Sequence, residues 1–186
     1  MFKVLLVMIL TWVCCVALPR QAAAGMFEFS LALAYNRSTY SEDNYEWNRR
    51  WGSSAGYQFS DKSGIEFAMQ DVVNRIRIVG YEDTTTHDQI YSFNWIQNFL
   101  GKNAGFQPYV KVGVGQLNRE ATGTYAGGAS PPLIVDSVTG VLGAGFRVYL
   151  VRNLALRTEA TTYLSGGSIR TWKDNVGITI GASLYF

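Results

Sequence analysis

The chain contains a single histidine, His87, in the run TTTHD at residues 84–88. A histidine beside a carboxylate is half of an acid–base pair, but hydrolysis also needs an activated nucleophile. No sequence neighbour of His87 supplies a recognisable nucleophile motif, so it reads as a solvent-exposed loop residue and no catalytic residue is assigned. One histidine and scattered carboxylates give no metal-ligand spacing, and no cofactor is expected. Gly113-x-Gly115 and Gly143-x-Gly145 share their spacing with phosphate loops, yet both lie within alternating segments and not at a strand-to-helix turn. Glycine there makes room for long neighbours.

Charge at alternate positions is the more specific signal. Glu28, Glu66, Lys111, Arg147, Arg157 and Glu159 each fall on the small, polar side of a segment whose other side is apolar. Together they are three positive and three negative groups from five segments, a set able to form a neutral, buried salt-bridge layer. A second set, Trp47, Arg49, Trp51, Arg75 and Arg77, combines aromatic rings with guanidinium groups suited to bidentate phosphate contacts.

The elements that must position these residues are strands. The last twelve residues, NVGITIGASLYF, alternate strictly, with Val176, Ile178, Ile180, Ala182, Leu184 and Phe186 apolar. That is the period of a strand with two unlike faces. Similar alternation marks residues 26–36, 47–60, 64–78, 89–100, 106–116, 140–150 and 154–164. Eight strands of about ten residues match the span of a tilted membrane strand. Connections alternate long and short, the long ones expected at residues 37–46, 82–88, 117–136 and 165–174. The pattern predicts an all-β fold, an eight-stranded antiparallel up-and-down transmembrane β-barrel spanning residues 25–186. The apolar faces point outward and the charged, glycine-rich faces inward, the reverse of a soluble barrel.

Near Val72-Val73 the alternation slips, and a β-bulge is the simplest account. Pairing around Lys62 without a bulge sets Arg49 beside Arg75 and Trp47 beside Arg77, but points Asp71 at lipid at a cost of up to a few kcal/mol. We therefore expect a bulge that turns Arg75 and Arg77 inward.

Lys3, the apolar run at residues 4–18 and Ala22-Ala23-Ala24 read as a secretory signal (residues 1–24) cleaved after Ala24. Both cysteines, Cys14 and Cys15, leave with it. Without Lys3 and Arg20 the chain carries 14 basic and 14 acidic residues, which argues against nucleic acid as a partner.

The stretch GVLGAGFRVYLVRNLALRTEA (residues 140–160) resembles the sixth and seventh strands of small outer-membrane barrels of the OmpA transmembrane, OmpX and Ail type. PYVKVGVG (residues 108–115) resembles their fifth. The resemblance implies export to the Gram-negative outer membrane and contact with its lipids. It also implies assembly through machinery that reads the terminal aromatic, here Tyr185-Phe186, and a monomeric state. Separately, pairing without the bulge would make Trp47, Arg49, Trp51, Arg75 and Arg77 an outward phosphate-binding patch for lipopolysaccharide. The expected function is a barrel with a packed lumen, presenting surface loops for envelope integrity or adhesive contact. The alternatives are a narrow channel for small or hydrophobic solutes, like the OmpW barrels, and a lipid A-modifying enzyme.

Overall fold

The computed structural model describes residues 25–60, 62–101, 105–125, 128–165 and 176–186. Among them are eight strands: β1 (Met26–Thr39), β2 (Tyr45–Gln58), β3 (Ser63–Ile78), β4 (Glu82–Asn98), β5 (Phe106–Tyr125), β6 (Gly128–Val151), β7 (Leu154–Ser165) and β8 (Val176–Tyr185). Each pairs antiparallel with its sequence neighbours, and β8 returns to β1 to close the barrel. The signal segment 1–24, the first turn at 61, part of the second turn at 102–104 and the last loop at 166–175 lie outside the described residues.

Alternation decides the two faces. Leu31, Leu33, Phe67, Phe93, Val112, Val114, Ile178 and Ile180 are all more than half exposed on the outside. Their strand neighbours face the lumen and are small, polar or charged. Phe27–Tyr57, Phe29–Phe186, Phe59–Trp95 and Phe106–Phe146 form ring contacts with centroids 5.1–6.1 Å apart. These four pairs sit near the end where β1 begins and β8 finishes, and make an interfacial aromatic girdle.

Two of the expected long connections are strand. Residues 82–88 belong to β4, and residues 117–136 belong almost wholly to β5 and β6. The β-branched run Thr84-Thr85-Thr86 suits a pleated surface, and its partners Arg75, Ile76 and Asn74 extend the β3–β4 ladder upward. Gly80, with φ 77°, supplies the turn in which the Tyr81 amide donates to the Ile78 carbonyl at 3.0 Å. Pro131 and Pro132, which have no amide hydrogen to give, fall where the β5–β6 register shifts between Ala121 and Gly123.

The bulge near Val72-Val73 is not formed. Both ladders of β3 run through it without interruption, so Asp71 stays on the outer face between Trp51 and Gln89. The expected cost is met by a partner: His87 Nε2 lies 2.6 Å from the Asp71 carboxylate. His87 is accordingly a half-buried strand residue and not an exposed loop residue. Arg75 and Arg77 therefore face outward. The β2–β3 register also differs from pairing around Lys62. Gln58 pairs with Gly64, placing Trp47 opposite Arg75, Tyr45 opposite Arg77, and Arg49 opposite Val73. The turn explains this: Ser60 Oγ accepts from the Lys62 and Ser63 amides, and the Ser60 amide donates to the Ser63 carbonyl.

Candidate functional site: a charged plug in the lumen

All six alternating charges project into the same layer of the lumen, and each is at most 5% exposed. Arg147, from β6, is fully buried and binds Glu28 of β1 with two hydrogen bonds, Nε at 3.1 Å and Nη2 at 2.9 Å. Its third arm, Nη1, donates to Asn98 Oδ1 at 2.8 Å. This is the fork geometry in which arginine binds a carboxylate most strongly.

Arg157, from β7, serves the other two carboxylates. Its Nη1 donates to Glu66 at 2.5 Å and its Nη2 to Glu159. Lys111, from β5, reaches Glu159 and, at 3.5 Å, Glu66. Arg157 also lies 3.6 Å from Glu28, so one connected network crosses the barrel. Thr161, Ser54, Gln58 and Ser30 donate to the remaining carboxylate lone pairs. A buried charge network tolerates so little water only when its lone pairs are filled in this way.

Tyr109, which the charge pattern alone did not single out, sits at the centre. It is 1% exposed; its hydroxyl donates to Glu159 at 2.6 Å and accepts from Arg157 Nε at 2.7 Å. The Arg147 guanidinium lies over its ring, 4.4 Å from the centroid. Tyr109 shares a face with Lys111, two positions away in a period-two strand, which is the signal that could have found it. Gly145 faces it: a Cβ there would come within 2.7 Å of the Tyr109 ring and 2.5 Å of the Thr158 carbonyl. The inner-face glycine thus makes room for the ring at the centre of the plug.

The lumen directly above the network holds a cavity of ≈ 30 Å³ lined by Ser30, Ser54, Glu66, Lys111 and Thr179 among others. That is room for about two water molecules. Higher still, Asp88 and Arg119 face each other inside the barrel in a two-armed bridge, both arms 2.7 Å. Sequence reading missed this pair because both residues fell in presumed loops.

The five residues of the outer patch share the lipid-facing side but form no single cluster. Arg75 is committed to Asp83 by two bonds of 3.1 Å. Arg49 and Arg77 are exposed, while Trp47 and Trp51 are half-buried on β2. At the other end Tyr185 and Phe186 part ways. Tyr185 is a buried lumen residue with its ring 5.5 Å from that of Tyr149. Phe186 points outward against Phe29 and exchanges two backbone hydrogen bonds with Phe27, which fastens the seam between β1 and β8.

The architecture is shared with solved structures. The N-terminal β-barrel domain of OprF from Pseudomonas aeruginosa superposes with a TM-score of 0.57 at 17% identity, covering 89% of this chain and 100% of that one. Ail, the attachment invasion locus protein of Yersinia pestis, gives 0.50 at 12% identity, with coverage of 89% and 100%. Neisserial surface protein A gives 0.45 at 16%, with coverage of 89% and 98%. At such identities the likeness is one of fold. Comparison with curated proteins gives no match. The family described as outer membrane protein beta-barrel domain matches residues 8–186. With a closed barrel, an apolar exterior and a match over nearly the whole chain, this protein belongs to the outer membrane protein beta-barrel domain family and resides in the bacterial outer membrane.

Proposed function

We propose that the protein is a non-conducting, non-enzymatic barrel whose work is done by what it holds above the membrane. The observation that carries this reading is the buried charge network across the lumen, from Glu28 through Arg157 to Lys111. An eight-stranded barrel is just wide enough for side chains to fill, and here they do so with paired, hydrogen-bonded charge. Above the plug, β5 and β6 continue as a hairpin past Thr139, the last β6 residue paired with β7 among the described residues. That hairpin is a stiff platform for surface contact, with Leu133, Ile134 and Val138 exposed. Planar-bilayer recording tests the closed state: no steady conductance is expected, and a stable open pore in the native protein would reject it. Cells whose protein lacks residues 122–132 should keep the barrel but show the same defect in surface attachment or permeability that follows from loss of the whole protein.

Non-enzymatic action is supported by the surroundings of His87. Its cross-strand partners are Val73 and Glu120, neither of which carries a hydroxyl, and its Nε2 is bonded to Asp71. A contact with lipopolysaccharide is the second reading, favoured by the outward placement of Arg49, Arg75 and Arg77 beside Trp47 and Trp51. Replacing Arg49 and Arg77 by Gln should weaken co-purifying lipopolysaccharide; unchanged lipid content would remove that reading.

A further inference from the structure

The β1–β8 seam is open in its upper part. Among the described residues its ladder ends at Leu33–Ile180, although β1 runs on to Thr39 and β8 begins at Val176. On their other sides the same stretches stay paired, β1 with β2 up to Thr39–Tyr45 and β8 with β7 up to Val176–Thr162. The two strands therefore part where continued register would set Ala34 against Thr179 and Asn36 against Gly177. An unpaired backbone edge is costly in hydrocarbon, so polar groups are favoured at such a place.

Arg50 lies directly behind the parting. It projects inward from β2, opposite Ala34, and crosses behind β1 to β8: a Cβ on Gly177 would lie 1.4 Å from its Nη1. It is 7% exposed, and among the described residues its Nη1 has no hydrogen-bond partner and it takes part in no ion pair, with Tyr163 and Asp88 within electrostatic reach. A buried guanidinium with an unfilled arm is a strong anion acceptor. A groove of ≈ 550 Å³ leads to it from outside, lined by Leu33, Ala34, Tyr35, Arg49, Arg50 and Trp51. Leu33 and Tyr35 are about two-thirds exposed, so the groove wall belongs to the lipid-facing surface.

We propose that this seam is a lateral binding slot for a single-chain anionic amphiphile, a long-chain fatty-acid carboxylate, with the carboxylate on Arg50 and the acyl chain along Leu33, Tyr35 and Trp51. A carboxylate oxygen can take the unfilled Nη1, and one chain suits a parting between two adjacent strands. The charge network below Arg50 keeps the slot from opening downward, so the site holds its ligand without conducting it. The inference rests on the seam and on Arg50, and stands whether or not the surface-contact reading holds.

The test is equilibrium binding of cis-parinaric acid to the folded protein in uncharged detergent, read by energy transfer from tryptophan. We expect saturable binding at one site per chain, at least tenfold weaker binding of the methyl ester, and a similar loss of acid binding in Arg50→Gln. The ester comparison uses the native protein and so decides the matter even if Arg50→Gln does not fold. Equal affinity for acid and ester, no saturable binding, or an unchanged Arg50→Gln protein would overturn the proposal. Displacement of the acid by a lyso-phosphatidate at tenfold lower concentration than by stearate would also overturn it, in favour of a lipid phosphate as occupant.

Discussion

Arg147 and Arg157 stand directly opposite each other in the β6–β7 ladder, two like charges that would repel if left alone, and Tyr109 lies between them. Its ring takes one guanidinium on its face and its hydroxyl takes the other. Each arginine is then turned to a different acid: Arg147 to Glu28, Arg157 to Glu66 and Glu159. Glu159, the diagonal neighbour of Arg147, is held by Lys111, Arg157, Tyr109 and Thr161 instead.

Tyr109→Phe keeps the ring under Arg147 but removes the hydroxyl that joins Arg157 to Glu159. Both would lose a buried partner, so a loss of about 1–3 kcal/mol is expected. Urea unfolding in lipid vesicles measures it, and an unchanged midpoint would place the hydroxyl outside the network.

Glu159→Gln should lower the melting temperature, since Lys111 and Arg157 would remain buried with one fewer anion. A loss of about 3–5 kcal/mol is the scale for breaking a buried pair from one side. A melting temperature equal to the native value would mean that water fills the lumen and screens these charges.

Glu28→Gln and Arg147→Met should each destabilise strongly, and the double variant less than their sum, because neither charge is then left alone. A cycle that adds without coupling would show that the Arg147–Glu28 fork, 2.9 and 3.1 Å long, contributes nothing specific.

Phe186→Asp places a charge at the lipid-facing end of the closing seam, against Phe29. We expect secretion without accumulation in the outer membrane, seen by fractionation. The native protein should migrate differently in SDS before and after boiling, because every strand is paired on both sides below Leu33–Ile180 and leaves detergent little edge to enter. Normal levels of the Asp variant would separate the terminal aromatic from assembly.

Period-two alternation determined the fold by itself. A strand in a one-layer barrel meets lipid on one side and the lumen on the other, so each residue's type records its side. For the same reason Arg147 opposite Arg157 and the shared inner face of Glu28, Glu66, Lys111 and Glu159 were legible from residue spacing and one short turn. Tertiary structure alone decided which acid each base takes, because that depends on reach across the lumen between strands far apart in sequence. It also decided the run of β3 through Asp71. The alternation broken at Val72-Val73 suggested a bulge, but His87 from the next strand supplies the partner that makes straight pairing acceptable. The parting of β1 from β8 above Leu33–Ile180 was equally unreadable, since both strands keep their period there and only the closure of the ring shows where they separate.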